Sequence, residues 1–121
     1  MPWRFDTGSS VSMQIASSLR IKILTGEYKA GEQFPTVRSL ACQLAVNPNT
    51  VQKALGILEQ EGLLVSQTTV GRFVTNENEV LENALKSFRE SFMKTVIYQA
   101  KDIGISKKAF ADYIEESEEL L

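Results

Sequence analysis

The sequence contains no histidine and only one cysteine, Cys42, in its 121 residues. Without histidine, the chain can form neither a Ser-His-Asp triad nor a histidine metal site, and no imidazole can act as a pH switch. A single cysteine excludes an internal disulfide and a zinc site built from several cysteines. These absences indicate a reducing compartment and remove the commonest arrangements for enzymatic catalysis.

Long apolar runs are also missing. No stretch reaches the roughly 20 consecutive apolar residues of a membrane span, and the N-terminus lacks the basic residues and apolar run of a secretory signal. Apolar residues make up 43% of the chain and charged residues 23%, which is typical of a folded globular protein. We therefore expect one domain, or a small domain with an appendage, that is cytoplasmic and has no membrane partner.

The net charge is small and is distributed unevenly along the chain. Thirteen lysine and arginine residues against fifteen aspartate and glutamate residues give a net charge of −2, which excludes a uniformly basic coat. Residues 1–74 carry seven basic and five acidic side chains (net +2), whereas residues 75–121 carry six and ten (net −4). This asymmetry suggests two tasks, of which only the first faces an anion.

An amphipathic helix is predicted after an N-terminal arm of nine residues that contains Trp3 and Phe5. Apolar residues recur every four positions over Val11–Ile23, so they form one face of a helix that Gly26 is placed to end. The segment that follows, residues 27–34, has the character of a loop.

Two further helices are joined by a short turn. Thr36 is a suitable N-cap for the first, whose apolar face extends to Leu44 and whose Cys42 we expect at the edge of the core. Asn47 can cap the second, and Pro48 suits its first position because an N–H there has no helical partner in any case. This order is typical of a helix-turn-helix pair.

Beyond the third helix the period of the apolar residues changes. Leu63–Gln67 and Arg72–Thr75 are β-prone and are joined by a turn that contains Gly71, which predicts a hairpin. An apolar stripe at helical spacing then runs from residue 81 to residue 103, and a last short helix capped by Ser106 follows. The elements after the hairpin are therefore helical.

The fold class is accordingly mostly α with a small β-hairpin: a winged helix-turn-helix domain over residues 1–75 and a two-helix tail over residues 76–121. In such a domain the second helix of the pair presents its N-terminal side chains to the major groove. The tail cannot bury its stripe on a domain that has its own core, so we expect a second copy of the chain to cover it. The expected dimer-interface residues are Leu81, Leu85, Phe88, Phe92, Val96, Phe110 and Ile114.

Blocks of residues in the first half resemble the N-terminal domain of the GntR family of bacterial transcription regulators. They include GEQFPTVRSLA at residues 31–41 and VNPNTVQKAL at residues 46–55, and they extend over Val11–Val74. The VNPNTV variant and the short tail most resemble the YtrA-like subgroup, in which a helical dimerisation tail replaces the large effector-binding domain. The resemblance implies a homodimeric regulator that binds double-stranded DNA, and members of this subgroup are often repressors of neighbouring transporter operons. A two-fold dimer with one half-site for each domain should prefer an inverted repeat.

The residues expected to meet DNA follow from the resemblance for Arg38 and from their exposed position at the start of the third helix for Asn49, Thr50, Gln52 and Lys53. Arg38 matches the family's DNA-contacting arginine, and its guanidinium suits a phosphate or a guanine. Asn47 serves first as a cap, Gln52 can read adenine, and Lys53 suits a phosphate. The complete set of expected DNA-binding residues is Arg38, Asn47, Asn49, Thr50, Gln52, Lys53, Gly71 and Arg72.

Some positions depart from the family's pattern. Its commoner form carries arginine where this chain has Pro48 and Gln52, and many members have a basic residue and a glycine where it has Thr68 and Thr69. Insertion of the wing into the minor groove is therefore left open. A phosphate contact and a purely solvated role are equally open for Arg72.

Two other classes of function compete with a DNA-binding regulator. A winged-helix module that binds protein and not nucleic acid is the main alternative, and the modest charge of +2 on residues 1–74 favours it. A small enzyme is disfavoured, because Glu59 and Glu61 face different sides of a helix and no phosphate-binding glycine loop or metal-ligand spacing is present. No cofactor is expected, and the sequence identifies neither an effector nor an operator.

Overall fold

The computed structural model describes residues 10–67 and 69–118, so the N-terminal arm and Thr68 lie outside the described residues. The chain divides into two compact units, residues 1–85 and 86–121. The predicted fold class, mostly α with a small antiparallel hairpin, is confirmed. The elements are α1 (Val11–Leu24), α2 (Val37–Leu44), α3 (Pro48–Gln60), β1 (Leu64–Gln67), β2 (Gly71–Val74), α4 (Asn78–Asp102) and α5 (Lys107–Glu116).

Helix α1 begins and ends where the sequence predicts. The Ser10 hydroxyl accepts a hydrogen bond from the Met13 N–H at 3.1 Å, which satisfies one of the donors that a helix leaves unpaired at its start. At the other end Gly26 has a φ of 84°, and the Glu27 N–H donates to the Lys22 carbonyl at 2.9 Å. The buried side of α1 includes Ile15, Ala16, Leu19, Ile23 and Leu24.

Helices α2 and α3 are joined by the turn of residues 45–47. Thr36 caps α2 by accepting a hydrogen bond from the Ser39 N–H at 3.1 Å. Helix α2 ends at Ala45, which adopts the left-handed conformation with φ 55° and ψ 46°. This conformation costs a residue with a Cβ roughly 1–2 kcal/mol, and here it reverses the chain so that Asn47 can cap α3.

Two side chains of α2 are more exposed than the sequence predicts. Leu40 and Ala41 are buried, but Leu44 is 43% exposed and Cys42 is exposed. The predictions that Leu44 completes the buried face and that Cys42 lies at the core edge are therefore wrong for the described residues. The physical reason is that α2 packs mainly on α3, whereas the side of Leu44 faces a groove between α2 and α1.

The core of the first unit is built around α3, which is tied to α1 near both of its ends. The Ser12 hydroxyl donates to the Thr50 carbonyl at 3.1 Å. The Arg20 guanidinium donates two hydrogen bonds, at 2.7 and 2.5 Å, to the Glu61 carboxylate. Between these ties the inner side of α3 is fully buried, at Val51, Ala54, Leu55 and Leu58.

The predicted hairpin follows α3. Gly62 has a φ of 80° and turns the chain out of the helix. Strands β1 and β2 are antiparallel, with Leu64 opposite Val74, and both of these side chains are buried. The hairpin is therefore held to the first unit by the apolar residues at its base.

The segment predicted as a loop, residues 27–34, contributes an additional pairing to the hairpin. The Phe34 N–H donates to the Arg72 carbonyl at 2.8 Å, and Gln33 forms an isolated β-bridge with Phe73. Strand β2 is thus bonded on one edge by β1 and on the other by the chain that leads into α2. Position along the sequence gives no indication of this contact, because it joins residues about 40 apart.

The helices of the tail also form as predicted. Gly104, with a φ of 81°, follows α4, and Ser106 caps α5 by accepting a hydrogen bond from the Ala109 N–H at 3.1 Å. Although α4 has 25 residues, neither it nor another helix of the described residues is apolar enough to cross a membrane.

The left-handed turn at Ala45 generates a testable prediction for stability. Replacing Ala45 with glycine removes the steric cost of a positive φ, while the unfolded chain gains conformational freedom. The net expectation is a free energy of unfolding higher by about 0.5–1 kcal/mol, measured by urea denaturation.

Ala30→Gly provides the matched control, because Ala30 is exposed in a turn and does not have a positive φ. This variant should lose about 0.4–1 kcal/mol through the unfolded state alone. Equal destabilisation by the two glycine substitutions would contradict the left-handed assignment.

Candidate nucleic-acid interface

The outer side of α3 presents polar side chains because its inner side is committed to the core. Asn49, Gln52 and Lys53 are exposed, whereas Val51 and Ala54 between and after them are buried. A helix turns by about 100° per residue, so burial of one stripe fixes which side chains point outward. The first turns of α3 therefore carry amide and ammonium groups of the kind that can meet base edges and phosphates.

Asn47 and Thr50 are both partly engaged in shaping the start of α3. The Asn47 Oδ1 accepts a hydrogen bond from the Asn49 N–H at 2.8 Å, which confirms the predicted cap. Thr50 is half-buried, and its carbonyl receives the hydrogen bond from Ser12. Contacts of these two side chains with DNA stay predictions.

Arg38 lies at the second position of α2 and is exposed. Within residues 10–67 and 69–118, neither Arg38 nor Lys53 forms an ion pair. Their positive charges are therefore not neutralised by a neighbouring carboxylate in the described part of the chain. An arginine and a lysine in this condition are suited to bind an anionic backbone.

Two other cations of the first unit, Arg20 and Arg72, are paired with carboxylates. Arg20 is held by Glu61, and the Arg72 Nε–H donates a short hydrogen bond to the Glu59 carboxylate. The side chain of Arg72 is only 19% exposed. Of these four cations, the two that are not paired among the described residues therefore lie on α2 and α3 and not on the hairpin.

The turn of the β1–β2 hairpin, which is the wing of this fold, is held by Gln33, a residue that the sequence does not single out. Gly71 has a φ of 120°, a backbone conformation that favours glycine. The Gln33 Nε2 group donates to the Val70 carbonyl at 3.0 Å, from the segment on the other side of β2. Gln33 and Glu59 both orient the wing, and neither follows a local sequence pattern because their partners are 37 and 13 residues away.

The residues predicted for the dimer interface differ in exposure. Within the second unit, Phe92 is 63% exposed and Ile114 is 41% exposed. Met93 and Ile97 are also largely exposed on α4, although the sequence did not single them out. The remaining predicted positions, which are half-buried, are Leu81, Leu85, Phe88, Val96 and Phe110.

Comparison with known proteins agrees with this geometry. The family model for bacterial regulatory proteins of the gntR family matches residues 11–74. The HTH-type transcriptional repressor YtrA of Bacillus subtilis is 30% identical over 105 residues, which cover 85% of this chain and 80% of YtrA. The uncharacterized HTH-type transcriptional regulator YhcF of the same species is 24% identical over 111 residues, or 92% of each chain.

Solved structures give the same result for the fold. A GntR family transcriptional regulator from Listeria monocytogenes matches with a TM-score of 0.85 and 27% identity, covering 94% of this chain and 100% of that chain. The likenesses to YtrA and to the Listeria protein extend well beyond residue 74, so they include tail residues as well as the helix-turn-helix unit. The expected resemblance to YtrA-like regulators is confirmed, and a winged-helix module that binds only protein is disfavoured. The chain belongs to the GntR family of bacterial transcriptional regulators, which bind DNA through a winged helix-turn-helix and are not enzymes.

Proposed function

We propose that this chain is a homodimeric repressor that binds an inverted-repeat operator, with one half-site for each protomer. The observation that carries the proposal is the exposed polar side of α3, with Asn49, Gln52 and Lys53. The guanidinium of Arg38 adds to it, because it forms no ion pair with any residue that the structure describes. The relative YtrA is named a repressor, which supports negative regulation here. The DNA-bound protein acts in the cytoplasm.

Each side chain of this surface has a distinct role in the proposal. Arg38 binds a phosphate or a guanine with its two-pronged guanidinium, and Lys53 binds a phosphate as a point charge. Gln52 reads an adenine, since its amide can donate and accept at the same base edge. Asn49 and Thr50 contact the backbone or a base at the start of α3.

The remaining predicted contacts are secondary in this scheme. Asn47 contacts DNA only with what its cap leaves available, namely the Nδ2 group. Gly71 lets the wing turn approach the phosphates closely, and Arg72 binds a flanking phosphate from a position that Glu59 fixes. These contacts add affinity at the edges of the half-site and little base specificity.

We assign DNA binding to residues 1–75 and dimerisation to residues 76–121. Support for the dimer comes from the apolar side chains on the described tail helices, where Phe92, Ile97 and Ile114 are 63%, 46% and 41% exposed. Exposed aromatic and aliphatic residues at helical spacing are typical of an interface between helices. A two-fold dimer places its two recognition helices at a fixed separation, which calls for an inverted repeat.

The target genes are inferred from the subgroup alone. We infer that the operator controls a neighbouring transporter operon, in line with the resemblance to YtrA-like regulators. An inverted repeat in the DNA next to the gene, bound by the purified protein, would support this assignment. We assign no small-molecule effector.

Lys53 and Gln52 should affect DNA binding in different ways. The logarithm of the DNA association constant falls linearly with the logarithm of the salt concentration. Lys53→Ala should make this fall less steep by about 0.9, because one phosphate contact is lost. Gln52→Ala should leave this salt dependence unchanged. It should lose about 1–3 kcal/mol of the binding free energy that distinguishes adenine from another base at one position. Fluorescence anisotropy with oligonucleotides selected by this protein from a random pool measures both quantities.

Lys29→Ala is the matched control for charge, because Lys29 is an exposed lysine of the segment 27–34 and is not part of the proposed surface. Its salt slope should equal that of the wild type. Arg38→Ala should abolish binding to the selected DNA while the protein stays a dimer. A flat salt response of the wild type, or full DNA binding by Arg38→Ala, would contradict the proposed interface.

Phe92→Asp should convert the dimer into a monomer. A charge buried without a partner costs several kcal/mol, so the dimer Kd should rise roughly 100-fold or more, as measured by sedimentation velocity at a series of concentrations. Met13→Asp is the matched control, because Met13 is 56% exposed but lies on α1. If Phe92→Asp stays dimeric at the concentrations at which the control does, the tail does not form the interface proposed.

A further inference from the structure

A groove runs between α1 and α2 on the first unit. Its volume is about 520 Å³, which is within the range of sites that bind small molecules, roughly 300–1,000 Å³. Three of the side chains that line it, Ile15, Leu19 and Leu40, are buried, and Leu44 lines it while remaining 43% exposed. The α1–α2 groove therefore offers a small molecule an apolar surface on which to pack.

Three polar side chains line the same groove, those of Ser18, Lys22 and Tyr28. Each is half-buried and can donate a hydrogen bond. Within residues 10–67 and 69–118, none of the three side chains forms a hydrogen bond, and Lys22 forms no ion pair. Donors that are partly withdrawn from water favour an acceptor, and the charge of Lys22 favours an acceptor that is negative.

The three donors come from neighbouring positions of the backbone. Ser18 and Lys22 are four residues apart on α1, so they lie on the same side of the helix, about one turn from each other. The Tyr28 N–H donates to the Lys22 carbonyl at 3.2 Å, which brings the start of the next segment beside Lys22. The Tyr28 ring packs on Phe34 with a distance of 4.7 Å between the ring centroids. The polar part of the groove is therefore formed by one end of α1 and a tyrosine whose ring is held in place.

We propose that the α1–α2 groove binds a small apolar organic acid, that is, one carboxylate or similar oxyanion carried on a hydrocarbon or aromatic body. The body packs on Ile15, Leu19 and Leu40 and removes their apolar surface from water. The acidic group binds the ammonium group of Lys22 and accepts a hydrogen bond from the Tyr28 hydroxyl. An apolar site with a few polar groups that fix the orientation is the usual form of a small-molecule site.

Other classes of ligand fit the groove less well. Among the described residues that line it there is no aspartate or glutamate, so a cationic ligand would meet Lys22 without a compensating charge. A neutral apolar molecule would cover the apolar surface but would leave Lys22 and the hydroxyls of Ser18 and Tyr28 without an acceptor, which costs binding free energy. An apolar acid satisfies both parts of the groove.

The ligand site is distinct from the surface proposed to meet DNA. Helix α2 contributes Leu40 and Leu44 to the groove, whereas Arg38 on the same helix does not line it. The exposed side chains of α3, Gln52 and Lys53, do not line it either. Binding of an apolar acid can therefore be measured on the free protein, and its outcome does not depend on whether the chain binds DNA.

Two fluorescent dyes test this proposal on the full chain. Anilinonaphthalene sulfonate has a negative sulfonate on an aromatic body, and N-phenyl-naphthylamine has the same body without the sulfonate. The wild type should bind the sulfonate dye with a saturable rise in fluorescence. Lys22→Met should raise the Kd of the sulfonate dye about 10-fold, because one charge-assisted hydrogen bond is lost, and should leave the Kd of the neutral dye within about twofold. Tyr28→Phe should act on the sulfonate dye in the same direction but more weakly.

A second pair of variants locates both dyes in the groove. Leu44→Glu removes apolar surface and adds a negative charge, so it should weaken binding of both dyes, and of the sulfonate dye more. Ile21→Glu is the matched control, because Ile21 is 45% exposed on α1 but does not line the groove. Lys29→Met is the control for charge, since Lys29 is exposed and does not line it either. Both controls should bind both dyes as the wild type does, and circular dichroism should show that all variants are folded.

Three results would overturn the proposal. The first is a wild type that does not bind the sulfonate dye. The second is binding of this dye that is the same in the wild type, Lys22→Met and Leu44→Glu, since the dye would then be bound elsewhere on the chain. The third is an equal loss of both dyes in Lys22→Met, since Lys22 would then act on the apolar body and not on the negative charge.

Discussion

Burial of one side of α3 is the constraint on which the rest of this regulator depends. Leu55 and Leu58 are fully buried, and each contributes about 1.5–3 kcal/mol relative to an exposed side chain. A rotation of α3 by one residue would expose both and bring Gln52 or Lys53 towards the core. The same packing that stabilises the unit therefore fixes which side chains of α3 are exposed on the side that we propose meets DNA.

The second organising feature is the distribution of ion pairs. Arg20 and Arg72 are matched with Glu61 and Glu59, which lie at the end of α3. Such pairs on a protein surface contribute only about 0–1 kcal/mol, so their main effect is on position and on local charge. They tie α1 and β2 to α3 and fix the positions of the two guanidinium groups. Among the described residues, Arg38 and Lys53 thus carry unpaired positive charge although the net charge of the chain is −2.

The sequence predicts the local features of this fold because their signals lie within a few residues. The caps at Ser10, Thr36, Asn47 and Ser106 all form, since each depends on one side chain and an N–H two or three positions later. The exposed positions of α3 follow from its apolar period. The sequence therefore suffices to predict which side chains of α3 are exposed, and their contact with DNA stays a prediction.

The features that could not be predicted depend on contacts between distant residues. The Gln33–Val70 hydrogen bond and the Arg72–Glu59 pair orient the wing, and no periodicity connects these positions. The sequence predicts Leu44 in the core because it continues the apolar face of α2. Burial also requires another element to pack against that side chain, and Leu44 is 43% exposed.

In the proposed complex, two copies of α3 are held at a fixed separation on an inverted repeat. Hydroxyl-radical footprinting on DNA selected by the protein measures this most directly. We predict two protected stretches whose centres are about 10–10.5 base pairs, or a multiple of that, apart, and both should appear at the same protein concentration. A single protected stretch, or two that fill at different concentrations, would contradict the account.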